Sequence, residues 1–113
     1  MNRLDGKIAF VSGGARGIGA ETARLMVEGG ARVVIGDVLD ERGRETARAL
    51  EAAGGQALYV HLDVTRAEDW AGVIETVVAR FGGLDILVNN AGIFLGKGIE
   101  ESTAAQKLLY YQR

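Results

Sequence analysis

The sequence contains no cysteine, so it can form neither a disulfide framework nor a thiolate metal site. It has no apolar run approaching the roughly 20 residues that span a bilayer, and its start, MNRLDGK, lacks the apolar core of a signal peptide. Lysine and arginine are scattered and the net charge is −2, so no basic surface predicts binding to nucleic acid. These absences favour a cytoplasmic protein with no membrane or nucleic-acid partner.

Proline is absent as well, whereas glycine occurs 17 times among 113 residues. With 48% hydrophobic and 25% charged residues, the composition is that of an ordinary globular protein of one domain. Glycine is the residue that permits backbone conformations closed to other residues. The positions of the glycines therefore indicate where the chain turns sharply or approaches another group closely.

Four short apolar runs predict strands, and they are continuous rather than alternating, as expected for strands covered on both faces. They are Lys7–Ser12, Arg32–Asp37, Ala57–Leu62 and Leu84–Asn89. The segments between them have helical periodicity. Their predicted inward faces are Ile18, Thr22, Leu25 and Met26 in the first helix, Ala47 and Leu50 in the second, and Trp70, Val73, Ile74, Val77 and Phe81 in the third.

Glycine pairs follow all three predicted helices and are typical of helix C-caps. They are Gly29-Gly30, Gly54-Gly55 and Gly82-Gly83. Thr65–Glu68 has the form of a capping box and predicts the start of the third helix. The order β-α-β-α-β-α-β, with connections of helical length, predicts parallel strands joined by right-handed crossovers. The fold class is therefore α/β, a Rossmann-type doubly wound parallel sheet of about four strands.

The turn Ser12–Gly19 joins the first strand to the first helix and contains the pattern G-x-x-x-G-x-G at Gly13, Gly17 and Gly19. In dinucleotide folds such glycines permit a tight turn, backbone contact with a pyrophosphate, and close packing of helix on strand. The helix start offers free N–H groups to the phosphates. No Lys-Ser or Lys-Thr follows, which excludes a Walker P-loop. The alternative is a glycine turn selected only for packing.

Asp37 ends the second strand, 18 residues after Gly19. A dinucleotide fold places an acid at this point to accept hydrogen bonds from the adenosine ribose hydroxyls. A carboxylate there also repels a 2′-phosphate, which favours NAD over NADP. Two alternatives remain: Asp37 is an ordinary solvated residue, or Arg16 in the glycine turn reaches a 2′-phosphate and allows NADP.

Three motifs in order, Ser12–Gly19, Asp63-Val64 and Asn89–Gly92, resemble the short-chain dehydrogenase/reductase family, whose pattern is T-G-x-x-x-G-x-G, then D-V, then N-N-A-G. Ser12 replaces the more usual threonine and retains the hydroxyl. The resemblance covers essentially residues 4–101. It implies that residues 1–113 are a dinucleotide-binding (Rossmann) domain, the N-terminal part of a short-chain dehydrogenase.

The resemblance also implies roles for individual residues toward the cofactor. The pyrophosphate turn would be lined by Gly13, Gly17, Ile18 and Gly19, with Ala15 and Arg16 beside the adenosine. Asp63 would bond the adenine amino group and Val64 would pack against the ring. The adjacent ribose would lie over Asn90, Ala91 and Gly92.

In the family, catalysis uses a serine and a Tyr-x-x-x-Lys pair downstream of N-N-A-G. Tyr110 and Tyr111 have no lysine four positions on, so no catalytic residue is assigned, and His61 is not expected to bind a metal. The expected function is the NAD(H)-binding part of an oxidoreductase whose full-length relative would transfer hydride to or from an alcohol or ketone. The alternatives are a non-catalytic nucleotide-binding module, an inactive fragment, or S-adenosylmethionine binding, which the N-N-A-G match disfavours.

The fourth predicted strand is apolar, with the sequence LDILVN, and family members continue the sheet beyond it. An unpaired strand edge can associate with another chain. We therefore expect self-association of this chain.

Overall fold

The computed structural model describes residues 3–90; Ala91, Gly92, Tyr110 and Tyr111 lie outside the described residues. The elements alternate as predicted: β1 (Ile8–Ser12), α1 (Gly17–Glu28), β2 (Arg32–Asp37), α2 (Asp40–Ala52), β3 (Gln56–His61), α3 (Ala67–Phe81) and β4 (Ile86–Asn89). All pairings are parallel and the sheet order is β3-β2-β1-β4. The predicted α/β class and parallel four-stranded sheet are confirmed. In the stretch 3–90, no helix is long and apolar enough to cross a membrane.

The strand order reverses direction between β1 and β4. From β1 the chain moves outward to β2 and β3, and then α3 returns it to the other side of β1, where β4 pairs. Ser12 at the end of β1 is in register with Gly36 of β2 and Asn89 of β4. Loops that diverge at such a point leave a crevice beyond the carboxyl ends of the strands.

Helices cover both faces of the sheet. One core cluster contains residues of α1 and α2, including Ala23 and Ala47, while the other contains Trp70, Val73 and Val77 of α3. The adjacent residues Val33 and Val34 are both fully buried, one in each cluster. Burial on both faces explains why the strand runs are continuous rather than alternating.

Trp70 is a core residue, as its position on the predicted inner face of α3 suggests. It is 1% exposed and packs edge-to-face on Phe10, with ring centroids 6.1 Å apart. Its indole Nε1 donates to the carbonyl oxygen of Val64 at 2.9 Å, so its polar atom is also satisfied. The contact ties α3 to the loop that follows β3.

The predicted inward face of α1 is wrong in part. Ile18 and Leu25 are 76% and 54% exposed, and the buried residues of this helix are Gly19 and Ala23. Met26, which is also on the predicted face, packs partly buried against the same core cluster. The apolar periodicity therefore indicated the helix correctly but placed Ile18 and Leu25 on the wrong side of it.

The glycine pairs end the helices as predicted. Gly30, Gly54 and Gly82 have φ values of 100°, 98° and 88°, in the left-handed region. At the end of α1, Gly30 N–H donates to Val27 and Ala31 N–H donates to Met26. This is the Schellman arrangement, which satisfies the carbonyl groups left free at a helix end.

The predicted capping box at the start of α3 is wrong. The N-cap residue is Arg66, which makes no capping hydrogen bond with its side chain. The Thr65 hydroxyl and N–H both donate to Asp63 Oδ1, at 2.6 and 3.0 Å. A short polar side chain can bond within its own turn as readily as it caps a helix. Here the Thr65 hydroxyl bonds Asp63 instead of capping α3.

Two glycines inside helices make a matched pair for a stability test. A Cβ on Gly43 of α2 would lie 2.1 Å from Cε1 of Tyr59, whereas a Cβ on Gly72 of α3 would meet nothing within 4 Å. Alanine has the higher helix propensity at both positions. Only at Gly43 does added volume collide with a packed ring.

We expect Gly43→Ala to lower the free energy of unfolding by about 1–3 kcal/mol, because overpacking outweighs propensity. Gly72→Ala should raise it by about 0.5–1 kcal/mol, since the same propensity gain meets no obstruction. Urea unfolding monitored by circular dichroism measures both. Stabilisation by both substitutions would show that Tyr59 is not held against α2.

Candidate functional site

A cleft of about 450 Å³ lies at the carboxyl ends of the strands, where the strand order reverses. It collects most of the residues that the sequence singled out. Those that line it are Gly13, Arg16, Gly17, Asp37, Asp63, Val64 and Asn90. Its size is within the range of small-molecule and cofactor sites.

The glycine turn is fixed to the elements on either side of it. Gly13 N–H donates to Gly36 of β2 at 2.7 Å, and the Thr46 hydroxyl of α2 donates to the Ala15 carbonyl at 2.6 Å. Gly13 and Gly17 have φ values of 68° and 60°, which other residues rarely adopt. The turn therefore has a defined shape, which a site for an anion requires.

The glycines of the turn have different physical roles. A Cβ on Gly19 would lie 1.9 Å from the Gly13 carbonyl oxygen and 2.9 Å from Nδ2 of Asn90, so this glycine is needed for packing. A Cβ on Gly17 would meet nothing within 4 Å. The backbone at Gly17 is consequently open on the side of the cleft.

Helix α1 begins at Gly17 without a side-chain cap, since its N-cap residue Arg16 makes no capping hydrogen bond. The first N–H groups of a helix have no partners within the helix, and they carry the positive end of the helix dipole. Gly17 lines the cleft, so an anion bound there would meet these donors.

Asp37 is held in the wall of the cleft by the main chain. Its Oδ1 accepts from the N–H groups of Val38 and Leu39, at 2.7 and 3.2 Å, and its Oδ2 accepts from Ala15 N–H at 3.2 Å. A carboxylate has about four acceptor positions, so one remains for a donor in the cleft. Asp37 is therefore an oriented acceptor rather than a freely solvated strand-end residue.

Asp63 follows β3 and has one oxygen available. Thr65 bonds Oδ1, and this hydroxyl contact lowers the pKa of Asp63 below its ordinary value. Within residues 3–90 no hydrogen bond reaches Oδ2. Asp63 N–H donates to Asp69 Oδ2 of α3 at 2.9 Å, which fixes the start of the loop.

Asn90 joins the ends of β1 and β4. Its N–H donates to both the carbonyl oxygen and the hydroxyl oxygen of Ser12, at 3.2 and 3.1 Å. The Ser12 hydroxyl donates to Asn89 Oδ1 at 2.8 Å, and Ser12 is fully buried. The serine that replaces the usual threonine thus still links the two strands.

Three predicted residues of the glycine turn do not line the cleft. Ala15 is 1% exposed beneath the turn, where its N–H and C=O bond Asp37 and Thr46. Gly19 is packed against Gly13, and Ile18 points into solvent. A contact of these residues with a ligand stays a prediction, as it does for Ala91 and Gly92.

Three lining residues were not predicted: Val38, Leu39 and Leu62. Val38 and Leu39 are 53% and 38% exposed, which is unusual for large apolar side chains. They directly follow Asp37 and precede α2, so two apolar residues in a loop at a strand end were the available signal. Leu62 is likewise an apolar residue at a strand end, since it directly follows β3 and precedes Asp63.

The family model described as short chain dehydrogenase matches residues 7–109. A 3-alpha-(or 20-beta)-hydroxysteroid dehydrogenase of Mycobacterium tuberculosis is 57% identical over 91 residues, which are 80% of this chain and 34% of that protein. Tropinone reductase-like 1 of Erythroxylum coca is 49% identical over 100 residues, 88% of this chain and 36% of that protein. The chain therefore spans about a third of the length of these relatives.

The crystal structure of a short chain dehydrogenase from Mycobacterium smegmatis superposes on this fold with a TM-score of 0.79 at 37% identity. The match covers 94% of this chain and 45% of that one. The similarity therefore extends over nearly the whole chain.

His61, the single histidine, ends β3 directly before Leu62 and Asp63, which line the cleft. Within the described residues no group of three or more His, Cys, Asp or Glu side chains could hold a metal ion. Its Nδ1 is 2.8 Å from Oδ1 of Asp40, and this contact, with smaller contributions from Asp69 and Asp63, raises the pKa of His61.

The raised pKa predicts a pH effect of definite sign. Attraction between protonated His61 and Asp40 is present below about pH 6.5, the ordinary value, and is lost as the pH rises through the higher pKa of the folded state. An NMR titration of the imidazole should have its midpoint above 6.5. Asp40→Asn should lower that midpoint, and Glu75→Gln on α3 should not. Identical midpoints in all three proteins would contradict the contact.

Proposed function

Because the chain belongs to the short chain dehydrogenase family, we propose that its cleft binds NAD(H) and serves an oxidoreductase that transfers hydride between nicotinamide and an alcohol or ketone. The observation that carries the proposal is the oriented carboxylate of Asp37, in the same cleft as the open backbone of Gly17. The names of the relatives, a hydroxysteroid dehydrogenase among them, support this class of substrate.

The cleft is suited to a dinucleotide at its phosphate end. Gly17 presents backbone without an obstructing side chain, and α1 starts there without a side-chain cap. N–H groups and a helix dipole stabilise the negative charge of a pyrophosphate. The exposed side chain of Arg16 adds positive charge at the same edge.

The adenosine end of the cleft offers hydrogen-bond acceptors and apolar side chains. The remaining acceptor position of Asp37 suits a ribose hydroxyl, and Oδ2 of Asp63 suits the amino group of adenine. Val38, Leu62 and Val64 supply apolar surface for the ring between them. Cofactor sites are typically lined by apolar side chains with a few polar groups that fix the orientation of the ligand. One acceptor for the amino group and apolar contact for the ring would match this pattern.

Asp37 favours NAD over NADP. A 2′-phosphate would replace a hydrogen-bond donor with a dianion beside a carboxylate, and the two charges would repel. The positive charge of Arg16 opposes this repulsion, but its side chain is exposed, whereas Asp37 is fixed by three main-chain bonds. We therefore propose that the oriented carboxylate determines the preference.

The bound nicotinamide would supply hydride transfer, which is chemistry of the cofactor itself. The residues described here would bind and orient it.

We expect the chain to bind NADH more tightly than NADPH, and Asp37→Asn to reduce that preference about tenfold or more. The amide keeps the shape of the side chain but loses the charge that strengthens ribose hydrogen bonds and repels the phosphate. Fluorescence of Trp70, beneath the Val64 loop, can follow both titrations.

Asp85→Asn is the matched control, because Asp85 also accepts a main-chain bond, from Ile8 at 2.9 Å, but at the amino ends of the strands. It should leave the preference unchanged. Equal affinities for NADH and NADPH in the unmutated chain would refute the role of Asp37.

We further propose that the chain self-associates through β4. This strand pairs with β1 on one side, and within residues 3–90 no strand pairs with its other edge. Exposed N–H and C=O groups on such an edge favour pairing with another chain. Sedimentation velocity should show a weight-average mass that increases with concentration. A monomer at all concentrations, with cooperative melting, would contradict this.

A further inference from the structure

Tyr59 lies on the edge strand β3, outside the cleft, yet its hydroxyl contacts both ends of the turn that forms one cleft wall. The hydroxyl oxygen is 2.6 Å from the carbonyl oxygen of Asp37 and 2.5 Å from Oδ1 of Asp40. Asp37 ends β2 and Asp40 begins α2. The hydroxyl group therefore bridges the first and last residues of the turn, and the two acceptors share its one proton.

The ring that carries this hydroxyl is itself confined. Gly43 of α2 leaves the space that the ring fills, and the Arg44 guanidinium lies over the ring, 5.9 Å from its centroid. A glycine inside a helix costs about 0.5–1 kcal/mol relative to alanine, so its presence here is explained by the ring. The position of the hydroxyl is thus fixed by strand, helix and cation together.

The hydroxyl remains a donor at neutral pH. Burial, followed by the bond to Asp40, raises the pKa of Tyr59 above its usual range. The same bond is the largest of the effects that lower the pKa of Asp40, with His61 adding to it. A neutral phenol and a charged carboxylate form a strong pair of this type.

The turn that Tyr59 spans contains the groups that orient Asp37. Val38 and Leu39 donate their N–H groups to the Asp37 carboxylate and also line the cleft. If the ends of the turn separated, both N–H groups would move, and the carboxylate would keep only the Ala15 bond of the three that orient it. The geometry of the acceptor that faces the ribose is therefore determined partly from outside the cleft.

We propose that Tyr59 is a positioning residue that sets the choice between NADH and NADPH by holding the turn 37–40 and, through it, the Asp37 carboxylate. The proposal rests on the proposed function, since it concerns the same cofactor. It assigns a specificity role to a side chain that does not touch the cleft.

The test removes the hydroxyl and keeps the ring. In Tyr59→Phe, the Kd for NADH should rise roughly 3- to 10-fold, the value of one hydrogen bond, while the Kd for NADPH changes by less than about twofold. Thr76→Val is the control, because it also removes one hydroxyl bond to a carbonyl, that of Gly72, but on α3. It should change neither Kd.

A double-mutant cycle tests whether the effect of Tyr59 on cofactor binding passes through the Asp37 carboxylate. In an Asp37→Asn background, Tyr59→Phe should no longer change the ratio of the Kd for NADPH to the Kd for NADH, because its effect passes through the carboxylate. Amide hydrogen exchange gives an independent readout: exchange at Val38 and Leu39 should accelerate in Tyr59→Phe, and exchange in α3 should not. If Tyr59→Phe does not fold, Asp40→Ala removes the other end of the contact and should lower the same ratio.

The outcomes separate the two proposals. A chain that binds neither dinucleotide would overturn the proposed function and this inference with it. A chain that prefers NADH, but loses affinity for both cofactors equally in Tyr59→Phe or keeps its ratio unchanged, would overturn the role of Tyr59 alone.

Discussion

The close contact between Gly19 and Gly13 is the constraint on which the cleft depends. Any side chain at Gly19 would start 1.9 Å from the Gly13 carbonyl oxygen, so α1 can reach the end of β1 only with glycine there. That approach brings the first turn of the helix beside Asn90 at the end of β4. The uncapped helix start, the open backbone at Gly17 and the reversal of strand order consequently lie at one place.

Around this contact, main-chain hydrogen bonds rather than exposed ion pairs orient the polar groups. Asp37 receives three N–H groups, and Asn90 donates to Ser12 between two strands. Such bonds are made by backbone that other contacts of the fold already hold in place, so little side-chain entropy is lost when a ligand binds. By contrast, Arg24 pairs with Glu21 and Glu28 on the exposed face of α1, where ion pairs contribute little.

Much of this architecture could be predicted from local sequence. Continuous apolar runs gave the strands because each strand is buried on both faces, and glycine pairs gave the helix ends because a left-handed residue is needed there. Local patterns were less informative where two groups compete. Thr65 bonds Asp63 instead of capping α3, and the buried residues of α1 are Gly19 and Ala23, whereas Ile18 and Leu25 are exposed.

The contacts that sequence could not reveal join residues far apart in the chain. Tyr59 bonds Asp40, 19 positions away, only because β3 pairs with β2 in a register that sets Asp37 opposite His61. No periodicity or motif encodes that distance. The unexplained feature visible beforehand was Gly43, a glycine inside a helix, and its cause is the Tyr59 ring.

The most direct test of the central claim, that this cleft holds the dinucleotide, is an amide NMR titration of the chain with NADH. The account predicts that the largest shifts occur at Gly13, Gly17, Val38 and Asp63, which come from three separate loops but line one cleft. Shifts confined to the outer surfaces of α2 and α3, or no shifts at saturating NADH, would contradict it.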